Sequence, residues 1–152
     1  MVNGTTDGKA EGVTGAVTFS GKTVSLAADI DLNAGGILQW TPIGTSAAPF
    51  KGTFDAGGHI ISALSIANTA SYQGLFGYID NAAVKNLTIT GSIIGAGYLG
   101  GIVGYACSTA SAPSAFTDCL NQGNITGGTT YIGGIVGYIY MAEAQAPTPV
   151  RQ

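Results

Sequence analysis

The residues able to do chemistry are few and scattered. His59 is the single histidine of the 152-residue chain and stands four residues after Asp55. Serines are plentiful, so a Ser-His-Asp arrangement, in which the imidazole takes the hydroxyl proton, is formally available. No nucleophile-elbow phrase accompanies it, and the expected role of His59 is structural, at a turn-to-strand junction. Asp29 and Asp31 share one face if their segment is a strand. Such a pair could act as general acid and base, as in glycoside hydrolysis, or offer oxygens to Ca²⁺. A lone Asp-x-Asp without further clustered carboxylates carries neither role, and the expectation is a solvated strand face or a coil-corner hydrogen-bonding role, with no metal and no cofactor.

Cys107 and Cys119 bracket a Ser/Ala/Pro-rich stretch. In an oxidising compartment they can close it as one disulfide. The competing expectation makes Cys119 an inward core residue. Asn3-Gly-Thr5, Asn86-Leu-Thr88 and Asn124-Ile-Thr126 match the glycosylation acceptor pattern, expected here as a by-product of Asn turns beside Thr-rich strands. Trp40, Phe50 and Phe54 could offer an aromatic platform to a sugar ring, or seal a loop over the core. Tyr72, Tyr98, Tyr105, Tyr131 and Tyr138 recur with one glycine phrase, either as a stacked ladder or as an exposed stripe for adhesion. Trp40, Phe50, Tyr72, Tyr98 and Tyr131 are the candidate binding residues.

What positions them is a repeat. Tyr98-Leu-Gly-Gly-Ile-Val-Gly-Tyr105 returns almost unchanged as Tyr131-Ile-Gly-Gly-Ile-Val-Gly-Tyr138, and Tyr72-Gln-Gly-Leu-Phe-Gly-Tyr78 is a shorter relative. Gly74, Gly100 and Gly133 are thus 26 and 33 residues apart, a solenoid-like spacing. Glycine at 25 positions argues against helix, while Thr, Ile, Val and Tyr favour strands. The chain is expected to be nearly all β. Ile61-Ser-Ala-Leu-Ser-Ile66 resembles Val84-Lys-Asn-Leu-Thr-Ile89, which in turn aligns with Phe116-Thr-Asp-Cys-Leu-Asn121. In a parallel coil, equivalent side chains stack. That alignment predicts ladders of Ile61, Val84 and Phe116, of Leu64, Leu87 and Cys119, and of Ile102 on Ile135. Cys107 to Ala115 reads as an insertion between coils. The stretch Asn33 to Gly58, with Trp40, Pro42 and Pro49, reads as irregular, and Asp55-Ala-Gly-Gly58 as a turn.

Charged residues make up only 9% of the chain, and the net charge of -3 is spread singly, so no basic patch supports nucleic-acid binding. No apolar run reaches the roughly 18 residues of a membrane span, and no membrane insertion is expected. Met1-Val-Asn-Gly-Thr-Thr-Asp turns polar within two residues and does not open as a secretory leader, which suits either a cytosolic protein or an excised fragment. The expectation is a piece of a longer secreted chain.

Leu26-Ala-Ala-Asp-Ile-Asp-Leu32, Trp40-Thr-Pro-Ile-Gly44 and Phe50-Lys-Gly-Thr-Phe-Asp-Ala-Gly-Gly-His-Ile-Ile61 carry a family resemblance. Gly74-Leu-Phe-Gly77, Asn86-Leu-Thr-Ile89 and the two Gly-Gly-Ile-Val-Gly phrases continue it. In this order the chain resembles the GLUG-type repeats of large bacterial surface and secreted proteins, including adhesin-like chains, over roughly residues 23 to 140. The resemblance implies a short parallel β-helix, right-handed by analogy with most surface β-helices. It would have an N-terminal edge segment (1–22), repeats (23–140) and a tail (141–152). It implies a non-catalytic structural or adhesive role at the cell surface or outside the cell. Partners would be a host or neighbouring-cell protein or glycan, or a second copy through the solenoid ends. The alternative is a carbohydrate-active β-helix enzyme of the polysaccharide lyase or hydrolase kind. It needs Asp, Lys or Arg clustered along one ladder, and the five basic residues do not recur at the repeat spacing. Ice binding would need a regular threonine array, which Thr88, Thr90, Thr126 and Thr129 do not make.

Overall fold

The computed structural model describes residues 17–36 and 38–143. Among them there is no helix, and parallel strands wind into a β-solenoid of about four turns with an irregular N-terminal part. The first coil supplies β1 (Thr23–Ser25) and β2 (Ile30–Asp31). The second supplies β3 (Thr53–Asp55), β4 (Ile60–Ala67) and β5 (Phe76–Asp80). β6 (Ala83–Gly100) and β7 (Val103–Thr109) form the third, and β8 (Ala115–Asn121), β9 (Asn124–Gly133) and β10 (Val136–Ala142) the fourth. One bent sheet contains β1, β2, β3, β4, β6, β8 and β9, and a second contains β5, β7 and β10. Of the expected edge segment and tail, residues 1–16 and 144–152 lie outside the described residues. Residues 17–22 are held to the body, with Lys51 N donating to Thr18 O (2.7 Å).

β6 is the spine of the coil. It pairs with β3, β4, β8 and β9. At roughly 3.3 Å per residue its 18 residues would run about 60 Å if straight. Instead it turns corners at Asn86 (φ 54°), Gly91 (φ 137°) and Tyr98 (φ 52°). Gly91 is obligatory on two counts: its φ is left-handed, and a Cβ there would collide with the Leu64 backbone. Between the corners, Val84, Leu87, Ile89, Ile93 and Leu99 all point inward and are buried.

The ladders from the third coil to the fourth form as expected. Val84 pairs with Phe116 and Leu87 with Cys119, and Ile102 N donates to Ile135 O at 3.0 Å. The expected ladders from the second coil to the third do not. Val84 stands on Phe54, Ile61 on Ile89, and Leu64 opposite Gly91. The reason is physical. Every wall of a coil needs the same alternation of inward apolar residues, so Ile61–Ile66 and Val84–Ile89 look alike while lying on different walls. The true partner of the first part of β6 is β3, a three-residue strand inside the stretch expected to be irregular. Its one inward side chain is Phe54.

Aromatic rings fill the core towards the N-terminal end. Phe50 lies 5.0 Å from Phe76, Phe54 lies 5.4 Å from Phe76, and Phe19 lies 5.9 Å from Phe50. The Asp55–Gly58 turn forms as expected: Gly57 N donates to Asp55 Oδ1 (3.0 Å) and His59 N to Ala56 O (2.9 Å). The insertion is real but shorter than expected, because β7 extends to Thr109 and β8 begins at Ala115.

Candidate functional site

The glycine phrase begins and ends with tyrosine, and the coil folds those two ends together. Gly104 lies between Ile102-Val103 and Tyr105, and a Cβ there would sit 2.6 Å from the Tyr72 carbonyl carbon and 2.7 Å from Tyr98 O. Gly137 is equally close to Tyr98 and Leu99, one coil on. With no side chain at these positions, the strand carrying the second tyrosine packs directly against the backbone carrying the first. Both tyrosines of a coil therefore emerge side by side on one flank.

Stacking along the axis makes two columns. In the first, Tyr72 lies 4.9 Å from Tyr98 and Tyr98 lies 4.9 Å from Tyr131, with ring planes within 24° and 23°. In the second, Tyr78 and Tyr105 are 4.6 Å apart at 18°, and Tyr105 and Tyr138 are 5.2 Å apart at 32°. These spacings match the distance between neighbouring strands, about 4.8 Å. Edge contacts tie the columns together, as between Tyr98 and Tyr138 (5.7 Å, 90°) and between Tyr131 and Tyr138 (4.8 Å, 67°). Tyr72, Tyr98 and Tyr131 all have left-handed backbone, with φ of 62°, 52° and 57°. For a bulky side chain this costs roughly 1–2 kcal/mol each. Ring stacking of about 0.5–1.5 kcal/mol per pair offsets much of that.

The columns are uncharged. Partial burial pushes the Tyr105 phenol up to about 12, with Tyr78 and Tyr138 adding to the effect. Burial likewise raises Tyr78 and Tyr98 above the usual phenol range. The flank thus presents ring faces and neutral hydroxyls. Tyr72 and Tyr131, at opposite ends of the first column, are its most open rings, at 39% and 49% exposure.

At the N-terminal head of the columns lies a pocket of about 220 Å³, lined by Thr41, Thr45, Ser46, Ser71, Tyr72 and Tyr78 among others. A shallower groove of about 510 Å³ follows another corner, past Asp55, Asn86, Thr88 and Asp118. There Asn86 Nδ2 donates to Asp55 Oδ1 (2.8 Å) and Lys85 Nζ lies 3.2 Å from Asp55 Oδ2. With the Gly57 N–H, these contacts hold Asp55 down at about 2, the Asn86 bond contributing most. Asn86, one of the acceptor-pattern asparagines, is therefore occupied in holding two coils together.

The other candidate residues fall elsewhere. Phe50, expected in the binding set, is only 2% exposed, inside the Phe19–Phe76 ring cluster, and is core. Trp40 packs half-buried against that core and its Nε1–H donates to Leu75 O (3.0 Å). Cys107 is on β7 and Cys119 on β8, in different sheets, and both are free thiols with no bond between them. The Cys119 thiol donates towards Val84 O (3.4 Å) instead. His59 Nδ1 is 3.0 Å from Asp29 Oδ1, which also accepts from Ile60 N (3.0 Å), so the pair pins the first coil to the second. Asp31 Oδ1 accepts from Asn33 N (2.9 Å). The two aspartates are engaged by different partners and do not converge. Among the described residues no three His, Cys, Asp or Glu side chains gather as a metal site, and no helix is long and apolar enough to cross a membrane.

The side-by-side pairing of the columns and the pocket at their head were missed in the sequence. The first had a signal, since each phrase has a tyrosine at both ends. The second had none, because it depends on where the first coil fails to repeat. No family model, no curated protein and no solved structure matches the chain.

Proposed function

We propose that this chain is a non-catalytic structural or adhesive module of the GLUG-repeat kind, from a bacterial surface or secreted protein, and that it binds a protein or glycan through its tyrosine flank. The observation that carries this reading is the pair of tyrosine columns, unbroken over three coils and spaced 4.6–5.2 Å along each column. A solenoid needs inward side chains to be stable, but it does not need rings stacked outside at a left-handed backbone. Rigid aromatic area with neutral hydroxyls is what recognition surfaces use, because little side-chain entropy is lost on contact. The test is capture of the purified chain on arrays of immobilised glycans and of surface proteins. The double variant Tyr72→Ser/Tyr131→Ser, at open positions, is expected to lose at least roughly tenfold in affinity. A ligand that holds the variant as tightly as the parent would sink this reading.

A second reading, self-association, is supported at the C-terminal end. β9 and β10 contain no charged residue and no proline, the devices that normally protect a sheet edge. Ile132, Ile139 and Met141 are half-exposed there. The occupant this edge fits is a second copy of the same edge, met head to head with its strands antiparallel. Light scattering after size exclusion is expected to give a concentration-dependent dimer, abolished by Ile139→Lys. A parent chain that stays monomeric at every concentration removes this reading.

A further inference from the structure

The tyrosine columns stop where the first coil departs from the repeat. Ile43 bridges to Phe76 and Phe50 to Ile79, so residues 44–49 of the first coil lie over only Gly77 and Tyr78 of the second. The surplus bulges into a tight loop, closed by Thr45 N to Ala48 O and Ala48 N to Thr45 O, both 3.1 Å. Among the described residues, no ring precedes Tyr72 or Tyr78 in either column. Each has its stacking partner on one side only, Tyr98 at 4.9 Å and Tyr105 at 4.6 Å. The place where the next ring of each stack would fall is the pocket of about 220 Å³, with the two tyrosines as floor and the Thr45–Ala48 loop as lip.

Resting on the reading of the columns as the binding surface, we propose that this pocket seats an uncharged pyranose ring, laid on Tyr72 and Tyr78 and hydrogen-bonded from the lip. The lining selects the chemistry. Thr41, Thr45, Ser46 and Ser71 bring four hydroxyls, and among the described residues no charged side chain lines the space. An anionic or cationic group would lose its hydration without gaining a counter-ion. A flat hydrocarbon ring would leave the hydroxyls unmatched. A pyranose offers an apolar C–H face to the phenol rings and hydroxyls around its edge. Thr45 Oγ1 already accepts from Ala48 N (3.1 Å), which occupies one lone pair and not the O–H donor. The space holds about one ring, smaller than a typical ligand pocket of roughly 300–1,000 Å³. The expected ligand is therefore one residue of a neutral glycan, with the rest of the chain running outside.

The experiment is an amide chemical-shift titration of the full chain with methyl pyranosides and short neutral glucans, mannans and galactans. Shifts are expected to concentrate at Thr45, Ser46, Ser71 and Tyr72. Ser46→Trp, on the exposed lip and so without cost to the fold, fills the pocket and is expected to weaken the sugar at least roughly tenfold. Asp118→Asn, on another corner, is expected to change nothing. Sugar shifts centred on Tyr131 and Tyr138 would overturn the pocket and leave the flank reading standing. So would a protein ligand that needs the columns but is indifferent to Ser46→Trp, with every neutral sugar silent. p-Cresol moving the same peaks while every sugar is silent would overturn the choice of ligand. Absence of binding on both the glycan and the protein arrays would remove the flank reading itself.

Discussion

At the N-terminal end of the solenoid the inward position at Phe50 is sealed, although Ile30, the register partner of the buried Ile61, is 37% exposed; at the C-terminal end the equivalent positions stand half open. Phe50, in the first coil, is sealed by Phe19 and Phe76, and Trp40 packs partly buried against the apolar core with its Nε1–H on Leu75 O. In the fourth coil, Ile132 and Ile139 are exposed to 49% and 53%, although their register partners Leu99 and Ala106 are at 0%. Yet the fourth coil is the more regular of the two, paired over β8, β9 and β10, whereas the first has strands of three and two residues. Regular pairing and burial are therefore separate achievements in a solenoid. Pairing needs one neighbour, and burial needs a neighbour on both faces or side chains large enough to plug the end.

The contrast can be broken most forcefully at one ladder. Leu87→Asp puts a charge at a fully buried position and is expected to cost roughly 4 kcal/mol or more, close to the whole stability of a small domain. Cys119→Asp, the next rung but only half-buried, should cost about 1–2 kcal/mol. Thermal melts followed by far-ultraviolet circular dichroism compare them, and equal losses would refute the open-end picture. Truncation sharpens the same point: Ile79→Ala is expected to cost about 2–5 kcal/mol, and Ile139→Ala, two coils further along the same ladder through Ala106, under about 1 kcal/mol. Urea midpoints decide it.

Smaller effects come from titration. The Tyr105 phenol keeps its proton up to about 12 in the fold, while in the unfolded chain it ionises near 10. The folded state then binds more protons across that window, so stability should fall as pH rises through it. Tyr105→Phe should flatten the fall. At the acid side, Asp55 is held at about 2 by Asn86, Gly57 and Lys85. That stabilisation is present above the ordinary carboxylate value and is lost as pH drops from about 4 through about 2. Asn86→Ala, which removes the largest of those contacts, should shrink the acid loss, by the least of these amounts.

The fold class, the coil repeat and the tyrosine positions could be read from the glycine phrases, because Tyr-x-Gly-Gly-Ile-Val-Gly-Tyr combines a tight corner with an inward Ile-Val pair. Register between the second and third coils could not. Ile61–Ile66 and Val84–Ile89 share an alternation that any wall demands, and nothing local says which wall each occupies. β3 escaped notice for a related reason, since three residues with one inward Phe are too short to show a period. Phe50 looked like a candidate platform because a chain shows residue type and not which way a ring faces. The pocket was invisible from any single stretch, being made by a disagreement between two.

That disagreement has a consequence for how such a molecule changes size. Ladder hydrogen bonds run along the axis, so height is quantised at about 4.8 Å per coil, and only a whole added turn lengthens the column. Extra residues at Thr45–Ala48, or between Thr109 and Ala115, leave height and neighbouring registers untouched and alter the perimeter alone. Reach and surface decoration can then vary independently, one by duplication of coils and the other by insertion within a single turn.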